Sequence, residues 1–408
     1  MPEELTSQTR TALDRFQPVV AIDASRNRSG GAKAHLLGVI GALDPRECGI
    51  AGVHVWSYRK LLESLPDAPW LIKHAPLALE RTLMHQLWWQ FWQLPKEIKV
   101  HRCDVLLSTD AGSVCRFLPA VVMSRDMLSF EANEIKRFGF SMARLRLIFL
   151  RFMQIHSLRH ATGALFLTQY AANVIQRFTG RLRWVSVIPH GIGDEFRQNA
   201  NARTRSRASS TAEISCIYVS NADMYKHQWQ VVRAIAILRR AGHNVRLTLI
   251  GGGSGPAKKL LDAAVASEDP SGDFVEIIDF VPHHEIPRHL AKADIFVFAS
   301  SCENMPNTLV EAMANGLPIA CSNRGPMPEI LKDAGTYFDP EKPDSIADAI
   351  AKLLSDENLR RTMAAKGNSL SIQYSWSRCA AETWRFLVDI AAADAAGAAP
   401  GQRIRLPI

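Results

Sequence analysis

The sequence predicts an α/β protein made of two doubly wound, parallel-sheet domains in tandem. Three observations predict it: a length of 408 residues, short apolar runs alternating with helical periods, and one polar break near mid-chain. An ordinary core is filled by roughly 100–200 residues, so a chain of this length calls for about two. Strands of a helix-covered parallel sheet are buried on both faces and read as continuous apolar runs.

In order, the first half carries such runs at PVVAID (18–23), CDVLLST (103–109), PAVVMS (119–124), GALFLT (163–168) and WVSVIP (184–189). The second carries SCIYVS (215–220), VRLTLIG (245–251), FVEIIDFV (274–281), ADIFVFA (293–299) and LPIACS (317–322), with helical stretches such as WQVVRAIAILRRAG (229–242) between them. The break, RQNANARTRSRASST, lacks large apolar groups and reads as a linker. The expected organisation is a first domain over 1–196, a linker over 197–212 and a second domain over 213–372. The stretch SLSIQYSWSRCAAETWRFLVDIAAA is an amphipathic helix candidate, taken as a helix over 373–392 that packs back on the first domain, before a small-residue tail over 393–408. Ligands of doubly wound folds bind beyond the carboxyl ends of the strands, so function is sought in the loops there.

Composition narrows the classes. With 47% hydrophobic and 22% charged residues, disorder and fibrous architecture are excluded for the bulk of the chain. No apolar run approaches the ~18 residues of a membrane span, and MPEELTSQTR lacks the layout of a secretory signal. The 7 cysteines form no CxxC pair and no metal-ligand spacing, which implies reduced thiols, a cytoplasmic location and no metal site. A net charge of +8 favours an anionic partner such as a nucleic acid, a phosphorylated small molecule or an anionic lipid surface.

The most informative stretch is SCENMPNTLVEAMANG, residues 301–316, directly after an apolar run. Pro306 suits a helix's first turn, so a helix begins at 305–308 and ends near Gly316 and Pro318. Its free amides, at about Asn307, Thr308 and Leu309, then face the carboxyl edge of the sheet, where they and the helix dipole hold a phosphate. Glu303 falls just outside this anion site, and Glu311 about one turn inside it. A carboxylate on the flank can accept hydrogen bonds from a ribose diol. The competing reading is two solvated acids on an exposed helix face.

The longer stretch ADIFVFASSCENMPNTLVEAMANGLPIACSNRGPMPEIL resembles the E-x7-E motif region of the retaining family 4 glycosyltransferases. That resemblance implies the GT-B fold, two Rossmann-like domains facing a cleft that closes on the substrates. It implies hexosyl transfer from a nucleotide diphosphate sugar, with retention and without an essential metal or cofactor. The acceptor would be a saccharide or lipid-linked saccharide, in surface polysaccharide or glycolipid synthesis, and no nucleic acid would be bound. By resemblance Glu303 with Asn304, Met305 and Pro306 holds the donor sugar, Asn307 and Thr308 hold the diphosphate, and Glu311 binds the ribose. Glu329, in GPMPEIL, reads chiefly as part of a structural turn.

The resemblance extends along most of the chain. In CIYVSNADMYKHQWQVVRAI, Lys226 matches the family's diphosphate-binding lysine, but the arginine many members carry upstream is replaced by Asn221 or Asp223. In AIDASRNRSGGAKAHLL, Gly30 and Gly31 resemble the paired glycines facing the donor diphosphate, with a flexible turn as the alternative. Where the family often has a histidine near the reacting sugar, AVVMSRDMLSFEANE has Arg125 and Asp126. Asp126 either binds a sugar hydroxyl or forms a structural pair with Arg125. Catalytic roles are therefore expected of Glu303, Lys226 and Asp126, and His190 with Gly191 is expected to shape the hinge.

Three other signals are discounted. GGGSGP (251–256) fails both GxGxxG and GxSxG through Pro256, and HEIPRH (284–289) has the wrong spacing for a zinc-protease helix. SMARLRLIFLRFMQIHSLRH and LMHQLWWQFWQLPKEIKVHR read either as core-facing helices or as interfacial ones, the latter implying peripheral attachment to the inner face of the cytoplasmic membrane. Other readings are a non-catalytic nucleotide-sugar-binding subunit, a phosphorylase or epimerase of the same architecture, and a nicotinamide-dependent oxidoreductase, against which the missing fingerprint speaks.

Overall fold

The computed structural model describes residues 16–28, 30–197 and 213–397, which form two compact units. The expected linker lies outside the described residues from 198 to 212, as does the expected tail from 398 onward.

Unit 1 holds a seven-stranded sheet in the order β3-β2-β1-β4-β5-β6-β7. The strands are β1 Val19–Asp23, β2 Gly52–Trp56, β3 Leu71–His74, β4 Val105–Ser108, β5 Ala120–Met123, β6 Gly163–Phe166 and β7 Trp184–Val187. Every pairing is parallel. β4, β5 and β6 are buried along their whole length, which is why they read as unbroken apolar runs. The strand order reverses between β1 and β4, so the loops after these two strands flank the crevice where doubly wound folds bind ligands.

Unit 2 repeats the plan with six strands in the order β10-β9-β8-β11-β12-β13. They are β8 Ile214–Val219, β9 Val245–Ile250, β10 Val275–Ile278, β11 Ile295–Phe298, β12 Ile319–Ser322 and β13 Thr336–Phe338, again all parallel. Its order reverses between β8 and β11.

The units do not divide the chain as expected from sequence. The first ends at Gly191 and not at 196, and the short segment Glu131–Gly139 belongs to unit 2. Glu134 of that segment accepts from Ser301 Oγ at 2.8 Å, and Arg137 bridges Glu134 and Glu341.

The C-terminal helical stretch is broken. One helix ends at Ser371, and a second, Trp376–Ala395, starts where the Ser375 side chain accepts from Arg378 N. The hydroxyl satisfies an amide left free at the start of the second helix. This helix belongs to unit 1. Trp376 fills the space above Gly38, where an added Cβ would fall 2.2 Å from the indole, and a Cβ on Gly163 would lie 3.1 Å from Phe386 and 3.2 Å from Ile390.

Candidate active site at the strand ends

In unit 2, Lys226 follows β8 and Glu303 follows β11, the two strands at which the order reverses. Their side chains form an ion pair, each only 14% exposed. The ammonium also lies 5.1 Å from the ring centre of Tyr225 and 5.7 Å from that of Phe298. Lys226 ends a short 3-10 turn pinned from below, where Tyr218 Oη donates to the Lys226 carbonyl at 2.9 Å.

A second set of bonds ties the two loops together. Ser301 N donates to Tyr225 O at 2.8 Å, and His227 Nε2 lies 2.9 Å from Ser301 Oγ. Burial pushes the His227 imidazole down to about 4, so it is neutral at physiological pH. Ser301 has one proton and gives it to Glu134, so the His227 bond runs from Nε2–H to the Ser301 oxygen. His227 reaches this position from the left-handed backbone region, at φ 49°.

The glycines after β9 set the shape of the Lys226 loop. Gly251 has φ 121°, and a Cβ there would fall 2.4 Å from Ser220 O. A Cβ on Gly252 would lie 2.8 Å from Asp279 O, and one on Gly253 would lie 2.8 Å from the Ala222 Cβ. Ala222 N donates to Gly252 O at 3.0 Å. This glycine run packs the ends of β8, β9 and β10 against one another, which accounts for a motif that is no dinucleotide fingerprint.

The helix after β11 spans Asn307–Ala314, with Pro306 before it. Its start is less open than the sequence implied. Asn307 N donates to Met305 O and Leu309 N to Pro306 O, so of the three expected amides only Thr308 lacks a backbone acceptor among the described residues. Asn304, Met305 and Pro306 are buried, while Glu303, Asn307 and Thr308 are partly exposed.

Glu311 is 5% exposed. One oxygen accepts from His283 Nε2 at 2.9 Å, and the other is buried without a hydrogen-bond partner. The Glu311 hydrogen bond holds His283 above its ordinary value and so favours the imidazolium. His283 sits in the turn after β10 with its ring 5.3 Å from that of Phe196. Sequence reading missed it because the two partners are 28 positions apart.

Unit 1 disposes of its expected residues differently. Gly30 and Gly31 are exposed and form the first turn of the helix Gly30–Ala42, not a loop ahead of it. A Cβ on Gly30 would meet nothing within 4 Å, so packing does not require a glycine there. The Asp126 carboxylate serves its own loop and the helix Met142–His160, which counts against a catalytic role: it accepts from Leu128 N at 2.9 Å and from Ser129 Oγ in the loop, and from Gln154 Nε2 of the helix at 2.9 Å. Nor does Asp126 pair with Arg125. Arg125 instead donates from Nη2 to Asn27 Oδ1 at 2.9 Å, and its buried Nη1 has no hydrogen-bond partner. Thr109 Oγ1 donates to the same Asn27 oxygen at 2.8 Å. Asn27 follows β1, Thr109 follows β4 and Arg125 follows β5, so this cluster stands at the reversal point of unit 1. Burial keeps His35, in the helix Gly30–Ala42, well below its ordinary value, 4.7 Å from the His190 ring.

Two parallel-sheet units of this order, each with a single reversal point, define a doubly wound α/β protein. Residues 202–369 match the family described as Glycosyl transferases group 1, and that stretch is a glycosyltransferase group 1 domain. The O-antigen chain mannosyltransferase B of Escherichia coli is 34% identical over 110 residues, 27% of this chain and 29% of that one. A GDP-mannose-dependent alpha-(1-6)-phosphatidylinositol monomannoside mannosyltransferase of Mycobacterium tuberculosis is 28% identical over 237 residues, 54% of this chain and 60% of that one. The chain thus spans less than two thirds of the length of either relative. Among solved structures, sucrose-phosphate synthase from Thermosynechococcus elongatus superposes with a TM-score of 0.69 at 18% identity, over 90% of this chain and 97% of that one. The fold is GT-B.

Proposed function

We propose that this chain is a retaining glycosyltransferase that moves a hexosyl group from a nucleotide diphosphate sugar to a saccharide or lipid-linked saccharide acceptor. The observation that carries the reading is the arrangement around the unit 2 reversal point. There Lys226 and Glu303 come from the two loops that flank the crevice, and Thr308 and the unpartnered oxygen of Glu311 from the helix that follows the second loop. The two mannosyltransferase relatives favour mannose as the hexose, GDP as the first nucleotide to test, and polysaccharide or glycolipid synthesis as the setting.

The free Glu311 oxygen accepts a ribose hydroxyl, the hydrogen bond its burial leaves unmade. Glu303, with the buried Asn304–Pro306 turn behind it, orients the donor sugar. As the anomeric C–O bond breaks, its electron pair goes to the diphosphate, whose growing charge meets Lys226 and the Thr308 amide. The acceptor oxygen attacks on the face the diphosphate leaves, and its proton passes to a diphosphate oxygen. Glu303 takes no covalent part. Lys226 supplies the cation at the diphosphate, so this step calls on no metal. Until the donor binds, Glu303 neutralises Lys226 in a partly buried setting where a lone charge would be costly.

The test is nucleoside diphosphate binding. Calorimetry should show Glu311→Ala binding GDP about 10- to 100-fold more weakly than wild type, the range for losing a hydrogen bond to a charged group. Equal affinity for GDP and UDP in the two proteins would remove Glu311 from the site.

Peripheral membrane attachment is part of the same reading. No helix among the described residues is long and apolar enough to cross a membrane. The helix Met142–His160 buries only Gln154, Ser157 and Leu158, and it exposes Met142, Leu145, Phe149 and Phe152 at the spacing of one helix face. The earlier Trp-rich segment exposes Met84, Trp88 and Trp92. Such a face beside arginines suits an anionic interface. Wild type should sediment with anionic vesicles at low salt, and Phe149→Asp with Phe152→Asp should stay in the supernatant; equal sedimentation of both proteins would exclude this helix as the anchor.

A further inference from the structure

We propose that unit 1 carries a transition-metal site, zinc foremost, formed by His54, His74 and His101. One ring nitrogen from each lies within 4.8 Å of the other two, and His54 Nδ1 stands 2.9 Å from His74 Nε2. Tetrahedral zinc at roughly 2.0–2.1 Å from imidazole nitrogen puts its ligand atoms about 3.3 Å apart, so small ring movements complete the set. His54 lies within β2, His74 ends β3, and His101 follows the helix Leu94–Val100. No local spacing connects them, which is why the sequence indicated no metal site.

The surroundings fix the rings. Trp56 stacks on His74 with centroids 4.5 Å apart and planes at 13°. Trp56 is itself held by a bond from Nε1 to Glu97 Oε2 at 2.7 Å, and the other oxygen of Glu97 takes Trp89 Nε1 at 2.9 Å. Glu97 is thereby occupied by two indoles and is no fourth ligand. The cluster runs from buried His54 through half-buried His74 to exposed His101, giving an ion a route in and leaving its fourth position to water. The proton now between His54 and His74 moves to the far nitrogen of its own ring when metal binds, a change of tautomer with no net proton release. Imidazole donors suit zinc, copper and nickel. The site joins the β2–β3 edge of the sheet to the end of the 94–100 helix, so metal should stabilise unit 1.

The full-length protein, stripped with a chelator and kept reduced, is titrated with Co²⁺ and then Zn²⁺. The expected result is one Co²⁺ per chain with the visible absorption of a tetrahedral site, no thiolate charge-transfer band, and displacement by Zn²⁺. His101→Ala, a change at an exposed residue, should weaken Zn²⁺ binding at least ~10-fold, as losses around metal ligands do. His74→Gln should do the same, with circular dichroism confirming that both variants are folded. A rival pair, His156 and His160, has ring centroids 4.0 Å apart within the helix Met142–His160. His156→Ala with His160→Ala should leave Zn²⁺ affinity unchanged. The proposal is overturned if wild type binds no Zn²⁺, if His101→Ala binds it as tightly as wild type, or if only the 156/160 variant loses it.

Discussion

Lys226→Ala should lower turnover by about 10²- to 10³-fold, the cost of removing one preorganised group that stabilises developing charge. The effect should fall on kcat more than on KM, because the ground-state donor keeps Glu311 and the helix start while the leaving diphosphate loses its cation. Folding should survive. The substitution leaves Glu303 without its ion-pair partner, but both side chains retain some solvent access. Lys226→Ala with Glu303→Gln removes that unpaired charge and separates stability from catalysis: the double variant should melt with wild type and remain slow. A single variant that turns over at the wild-type rate would take Lys226 out of the mechanism.

Gly251→Val should cost more stability than any site substitution. At φ 121° an L side chain is strained by about 1–3 kcal/mol, and the added Cβ must also displace the Ser220 carbonyl, 2.4 Å away. Overpacking adds a further ~1–3 kcal/mol. Gly255→Ala is the control. It shares a positive φ, 81°, but its Cβ meets nothing within 4 Å, so it should show only the conformational part. Denaturant unfolding of the two variants measures the difference. Equal midpoints would mean that the glycine run does not clamp the strand ends.

The clearest of the parallel strands the sequence revealed are the ones buried on both faces, although β7 and β10, only partly buried, were legible too. β11, IFVF, and β12, IACS, are buried throughout, and burial of both faces is what writes an unbroken apolar run. The missed strands break that rule. β3, LIKH, lies at the sheet edge and is half-exposed, β2 carries His54 within GVHVW, and β13 has three residues. The interrupting histidines of β2 and β3 are two of the proposed zinc ligands. The long helical reading around 369–393 ran through a break because apolar periodicity persists across Ile372–Ser375; Ser375 was the cap signal that could have ended it.

The candidate site divides in the same way. Lys226, Glu303 and Glu311 belong to stretches whose local order is itself the signal. His283, His227, Glu134 and Asn27 reach their partners from 28 to 167 positions away, and no spacing rule links them. Asp126 shows the opposite failure. Its position after a first-unit strand suggested chemistry, yet an aspartate two residues before a free amide and three before a serine closes its own turn, as it does with Leu128 and Ser129. Arg125, beside it, is the residue left with a buried, unpartnered donor.

The central claim is glycosyl transfer from a nucleotide diphosphate sugar. The most direct measurement follows nucleoside diphosphate release from a panel of GDP- and UDP-hexoses, with and without saccharide and lipid-linked saccharide acceptors on anionic vesicles. Acceptor-dependent release from one donor, GDP-mannose first, with the product glycoside keeping the donor's anomeric configuration, is the predicted result. Tight binding of a nucleotide sugar with no release under any acceptor, or release with inverted product, would contradict it.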